Sequence, residues 1–318
     1  MFLRLSLLAA LFVSLTGCEK IAILTTPKKH SIPSHSPLAT HAENTFWDTL
    51  HSGNYNNLPE TSKLLLAAYL ENPNDPQLAA HLGFVYIWKI TERQRLAKLD
   101  PDITNNIILS KKYFHDATQL NPHDPRTQGF LGDAMLAEGD IYHDQREQVR
   151  GYFQVKRSIH EWPEFNYFTG GYVMSTQPSQ SDKFQEGLEW QWKTLDLCAG
   201  TRIDRHNPDF SPYLSRETQY GPQRACWNSW IAPHNFEGFF LNMGDMLVKS
   251  GDWQTAIMIY SNARLSKTYS AWPYRKMLED RIRRAKANVS LFQKHNGTSP
   301  TNRIMFNSGY GCVACHQR

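Results

Sequence analysis

The chain has 318 residues, 41% of them hydrophobic and 20% charged, which suits a folded protein with at least one sizeable core and excludes disordered and collagen-like classes. Its 34 basic and 30 acidic residues leave a net charge of +4, too even a balance to argue for nucleic acid or for general attraction to a membrane surface. No G-x-G-x-x-G loop, phosphate loop, H-E-x-x-H or G-x-S-x-G occurs, so the commonest catalytic signatures are missing.

The chain opens with a short basic start, Met1 to Arg4, and an apolar run from Leu5 to Leu15 that is too short to span a bilayer permanently. Residues 1–17 therefore read as an export signal. The run ends in Leu15-Thr16-Gly17-Cys18, which resembles the lipobox of bacterial lipoproteins: a branched apolar residue, two small ones, then cysteine. That resemblance implies cleavage before Cys18 and attachment of lipid, palmitate included, so that the chain is held at the membrane through its anchor. In Gram-negative lipoproteins an aspartate after the cysteine marks inner-membrane retention. Glu19 stands there instead, and the resemblance implies the outer membrane, facing the periplasm.

Residues 18–44 carry Pro27, Pro33, Pro37, several serines and no hydrophobic period after Leu24, and are expected to be a flexible tether. Its histidines, His30, His35 and His41, are irregularly spaced and lack cysteine or carboxylate partners, so a metal tract is the weaker reading.

From Phe46 the pattern becomes helical and repeats. Asn72-Pro73-Asn74-Asp75-Pro76 followed by Leu82-Gly83 recurs as Asn121-Pro122-His123-Asp124-Pro125 followed by Leu131-Gly132, 49 residues on. Leu65, Ala68, Tyr69 and Leu70 form part of one apolar helical face, and Tyr113, Ala117 and Leu120 part of the next. Asn72 and Asn121 can end these helices, Asp75 and Asp124 can cap the following ones, and Pro76 and Pro125 fit a first turn, where a missing amide proton costs nothing. Gly132-Asp133 and Gly139-Asp140 return as Gly244-Asp245 and Gly251-Asp252, with Trp253, Ala256, Tyr260 and Ala263 at helical spacing behind them.

Leu82, Gly83 and Tyr86 match the Leu-Gly-x-x-Tyr of the first helix in tetratricopeptide repeats, a family that this pattern resembles over residues 45–150 and 235–270. The resemblance implies an all-α, tetratricopeptide-like solenoid of helical hairpins over residues 45–295, whose concave surface binds partner proteins or serves only as a compact scaffold. The spacing exceeds the family's roughly 34 residues, so extra helix or loop is expected around Thr91 to Asn106.

Residues 155–235 depart from the repeat and are rich in Trp, Tyr, Pro and Gly, including Trp162, Tyr167, Gly170, Gly171, Trp190, Trp192, Tyr213, Trp227 and Trp230. They are expected to be an irregular insertion of helices and long ordered loops. Cys198 and Cys226 lie within it. In an exported chain their pairing as a disulfide is favoured over separate buried thiols or a metal site, and a loop of that size contributes roughly 3 to 4 kcal/mol. Farther on, Leu278, Ile282, Ala285, Val289 and Phe292 mark an amphipathic helix over 274–294, with Arg281, Arg284 and Lys286 on or beside its opposite, solvated face.

The remaining two cysteines stand in Gly311-Cys312-Val313-Ala314-Cys315-His316, a C-x-x-C-H motif that resembles the haem-attachment site of c-type cytochromes. The resemblance implies one covalent haem c on Cys312 and Cys315, whose spacing suits the two vinyl groups of one haem edge, with His316 as an axial ligand of the iron. A dithiol oxidoreductase would need a βαβ fold around the motif, where only Gln317 and Arg318 follow. Structural zinc would need a fourth ligand, and a disulfide across the motif is a further alternative. The sixth iron ligand is unassigned: Met305, His295, Met243 and Met246 are candidates, each also readable as a packing or surface residue. Residues 296–318 are thus expected to form a haem-bearing tail docked on the helical body.

Together these expectations describe a lipid-anchored haem protein transferring electrons to a periplasmic or membrane redox or assembly protein, more a carrier or binding protein than an enzyme. A scaffold whose haem senses redox state or gas is the alternative. A peroxidase-like enzyme would need a distal acid or base that the sequence does not reveal.

Overall fold

A computed structural model describes residues 20–27, 29–227, 236–294 and 304–316. The described residues form an all-α structure, with no strand among them. No helix among them is long and apolar enough to cross a membrane. The signal region, Cys18 and Glu19 lie outside the described residues, as do Trp230, His295, Gln317 and Arg318.

Helix α1 (Pro37–Ser52) starts where the tether was expected to continue. Ser36 caps it by accepting from the Ala39 amide at 3.1 Å, Pro37 occupies the first turn, and Gly53 closes it with φ 63°. The tether expectation therefore fails over residues 37–44, and residues 20–25 within it are helical as well. Residues 32–36 are not loose either: the Ile32 amide donates to Asn74 O (2.9 Å) and the Ser34 amide to Asp75 Oδ2 (2.6 Å). The inward stripe of α1 is Ala39, Ala42, Phe46 and Leu50, and its two alanines give too weak a hydrophobic signal to reveal the first turns.

Helices α2 (Leu58–Glu71) and α3 (Pro76–Thr91) are separated by the first Asn-Pro-Asn-Asp turn, and α4 (Asn105–Leu120) and α5 (Pro125–Ile141) by its repeat. Asp75 accepts from the Gln77 and Leu78 amides at 2.8 and 3.2 Å, and Asp124 from the Arg126 amide at 3.1 Å. Leu70, placed on the buried face from sequence, is 70% exposed, because Leu65, Ala68 and Tyr69 already fill the inward stripe of α2. Between α3 and α4, short 3-10 turns at Arg93–Arg95 and Pro101–Thr104 supply the extra length.

The region expected to be irregular from residue 155 is regular for most of its length: α6 (Gln145–Glu161), α7 (Pro163–Met174) and α8 (Asp182–Ala199) run almost without interruption. Among the described residues of this region, irregular backbone lies in the short link at 175–181 and, at greater length, after Gly200, a segment that Cys198 and Cys226 close as a disulfide with Cα atoms 5.9 Å apart. Helices α9 (Phe236–Ser250), α10 (Trp253–Asn262) and α11 (Arg275–Gln293) follow.

Sequential helices pack on one another throughout, most extensively α3 on α4, α5 on α6 and α7 on α8. Small residues allow this closeness. A Cβ on Gly151 would lie 2.7 Å from the Leu136 amide nitrogen and 2.8 Å from Gly132 O. Two large cores result, one among α8 to α11 and one among α1 to α4. Residues 304–316, ending in the single turn α12 (Val313–His316), lie between them: Val313 belongs to the second core, while Met305, Ala314 and Cys315 belong to the first.

Candidate cofactor site at Cys312, Cys315 and His316

The C-x-x-C-H motif is built into the body by its backbone. Glu92, at the end of α3, is fully buried, and its Oε1 accepts from the Cys312 amide at 2.6 Å and the Val313 amide at 2.8 Å. These are amides of the first turn of α12, which a carboxylate serves best. Its other oxygen accepts from Arg95 Nε at 2.7 Å. Burial raises the Glu92 pKa above the ordinary carboxylate value against the opposing pull of the Val313 amide and Arg95. Tyr172 donates to Gly311 O (2.8 Å) and Trp272 Nε1 to Ala314 O (3.1 Å).

A second buried carboxylate holds the approach to the motif. Asp245 of α9 accepts from Tyr260 Oη (2.7 Å) and the Met305 amide (2.9 Å) and pairs with Arg281 Nε at 3.2 Å. Arg281 also donates to Tyr310 Oη. The solvated role expected for Arg281 is thus wrong: its side chain is 16% exposed and turned inward, because its partner lies on another helix and is invisible to the periodicity of α11. Arg284 and Lys286 are exposed as expected.

Cys312 and Cys315 are both free thiols. Burial pushes both well above the ordinary thiol range, with Glu92 adding to Cys312, and Glu237 and Glu92 adding to Cys315. His316 is buried, edge-on to the Phe84 ring at 5.0 Å. All three line a cavity of about 530 Å³ bounded by α3, α5, α7 and residues 306–316, a size typical of small-molecule and cofactor sites. Phe84, Phe130, Phe168, Tyr172 and Phe306 supply aromatic wall, and Ile87, Ile90, Leu136 and Val173 aliphatic wall. His316 also borders a second cavity of about 180 Å³ beside Phe46, His81 and Phe114.

Polar groups reach the large cavity in two places. Asp133 and Met174, both buried, line its interior, whereas Asp140, His143 and Lys183 are exposed on its rim, with Arg93 half-buried beside them. Among the sixth-ligand candidates, Met243, Met246 and Met305 are buried in the core of α8 to α11 and are not among the residues lining this cavity. Met174 and His143 line it instead, and no sequence signal tied either to the motif, since they reach it only through the packing of α5, α6 and α7. Among the described residues, no three His, Cys, Asp or Glu side chains converge to hold a bare metal ion. The arrangement sets two thiols and an imidazole in the wall of an aromatic-lined cavity whose exposed lining carries ionisable groups.

No family model, no curated protein and no solved structure matches this chain.

Proposed function

We propose that the protein is a c-type haem lipoprotein, held at the periplasmic side of the envelope by lipid on Cys18, in which a tetratricopeptide-like helical scaffold carries one covalent haem that exchanges electrons with a redox or assembly partner. The observation that carries the reading is the convergence of two free thiols and a buried imidazole, spaced as C-x-x-C-H, on one end of an aromatic-walled cavity.

The residues present suit the group. Cys312 and Cys315 would carry its thioether links and His316 the axial bond, and when bound the haem supplies one-electron redox chemistry at iron. The chain's own contribution is positional. Glu92, Tyr172 and Trp272 fix the motif backbone, which sets where the thiols and the imidazole stand. Phe84, Phe130, Phe168 and Phe306 keep water from the interior, and the rim groups Arg93 and Lys183 offer cations to acidic substituents of an occupant.

The helical hairpins support the scaffold half of the reading. A second reading, in which protein binding is the main task and the haem reports redox state or gas, is favoured by one surface: Val149 and Phe153 on α6 are more than half exposed and flanked by the exposed Arg146, Arg150 and Arg157.

The test is expression with a cytochrome c maturation system, followed by acid–acetone extraction and a pyridine haemochrome spectrum. Haem retained by the wild type and lost from the Cys312→Ala, Cys315→Ala double variant is the expected result. Haem extracted completely from both sinks the proposal, and a ferrous spectrum that shifts rapidly with carbon monoxide favours sensing over electron transfer.

A further inference from the structure

Gly132-Asp133 and Gly244-Asp245 are the same step of the repeated pattern, and the two carboxyl groups have opposite surroundings. Asp245 is answered by Arg281, Tyr260 and the Met305 amide. Asp133 is only 3% exposed, its Oδ1 has no hydrogen-bond partner among the described residues, and it lines the cavity that Cys312, Cys315 and His316 close. A buried carboxyl facing a cavity without a partner is costly unless something in that cavity engages it.

We infer that Asp133 is a proton-binding site of the cavity, taking up one proton when an electron enters the group held by Cys312, Cys315 and His316. The inference rests on the haem reading above. An added electron is a negative charge placed in the same aromatic-walled cavity, where its attraction for a proton is stronger than in bulk water. The carboxyl is already poised for this, since burial alone raises its pKa to about 8. The balance is simple: one electron from a one-electron donor protein and one proton from solvent enter together, the carboxylate becomes a carboxylic acid, and oxidation returns both. No bond other than O–H forms or breaks.

The neighbouring ionisable groups do not take over this role. On the packed elements behind Asp133, Lys111 of α4 pairs with Glu138 of α5 and with Glu147 of α6, and Arg150 also serves Glu147. Toward the cavity, Tyr172 of α7 is held on Gly311 O. Arg93 donates to Ile90 O and is attracted by Asp140. His143 and Lys183, like Asp140, stand on the exposed rim, where water screens them. Asp133 is the carboxyl group of the interior.

The experiment measures the midpoint potential of the matured, full-length holoprotein from pH 5.5 to 9.5, for the wild type and for Asp133→Asn, Asp133→Leu and Asp133→Glu. One proton per electron lowers the potential by about 59 mV for each tenfold fall in proton concentration. The wild type is expected to be flat at lower pH and to approach that slope above about pH 8, where Asp133 is ionised before the electron enters. The Asn and Leu variants should be flat there, and Glu should restore the slope. Leu is an apolar replacement suited to the cavity wall, so it serves if the Asn variant folds poorly. Covalent haem with equal slopes in wild type, Asn and Leu overturns the inference alone. No covalent haem in the wild type overturns the haem reading and the inference with it.

Discussion

The Glu92 carboxylate and the Cys312 amide meet at 2.6 Å across 220 residues of sequence. The same oxygen takes the Val313 amide, and the other takes Arg95, so this one side chain joins the end of α3, the loop behind it and the motif. Glu92→Ala leaves two helix-start amides and a guanidinium without their acceptor, and a loss of about 3 to 5 kcal/mol in urea unfolding is expected. Glu92→Gln keeps an oxygen for both amides and loses only the ion pair, so it should cost less, about 1 to 3 kcal/mol. Equal losses for the two variants would mean that the amide contacts contribute nothing.

The crossing of α5 and α6 tests close packing. Gly151→Ala sets a methyl against two backbone atoms of α5, the Leu136 nitrogen and the Gly132 oxygen, neither of which can rotate away. About 3 kcal/mol of destabilisation is expected. At Gly309 the nearest atom to a new Cβ is Arg95 Cγ at 3.0 Å, a side-chain atom that can give by a few tenths of an ångström, and Gly309→Ala should cost less than Gly151→Ala, about 1 to 2 kcal/mol. Thermal or chemical denaturation of the two variants checks the ranking.

Lys249 gives the pH dependence of stability a sign. Its Nζ donates to Ser175 O and Gln177 O, each at 2.7 Å, at the end of α7, while burial lowers its pKa to about 8. Between that value and the ordinary lysine value the unfolded chain binds more protons than the folded one, so this group's contribution to stability rises with pH. Lysine-to-methionine replacement at 249 removes it. The stability of the wild type relative to Lys249→Met should therefore rise from pH 7.5 to 9.5, by about 1.4 kcal/mol per pH unit at most. Buried tyrosines such as Tyr260 resist ionisation and act in the opposite sense at higher pH, but they are common to both proteins and cancel. A constant difference would show that Lys249 stays protonated throughout.

Reduction of the Cys198–Cys226 bond frees the segment after α8, and a loss of about 3 to 4 kcal/mol is expected when unfolding is repeated with reductant. The Cys198→Ser, Cys226→Ser protein should start at the lower stability and ignore the reductant. If the wild type ignores it too, the bond does not stabilise the fold.

What could be read from the sequence was chemistry that closes within a few residues. The turns at Asn72 and Asn121 were legible because Asp75 and Asp124 cap the helices that follow them within two or three residues. The C-x-x-C-H motif was legible for the same reason. The start of α1 was missed because Ala39 and Ala42 bury little area and His41 and Thr40 interrupt the period. Arg281 was misplaced, Glu92, Met174 and Tyr172 went unnoticed, and Asp133 was seen only as part of the repeat, because each acquires its role from an element remote in the chain. A side chain whose partner is 220 residues away leaves no local trace.

Residues 304–316 act as a keystone, wedged between two halves that are both complete earlier in the chain. Each group that grips them, Glu92, Tyr172, Asp245 and Trp272, has been synthesised before the piece it holds. Seating this segment therefore closes contacts with both halves at once and carries the thiols inward with it. Once seated, Cys315 is buried and Cys312 faces the cavity, so any bulky reagent must arrive before closure or come through the mouth.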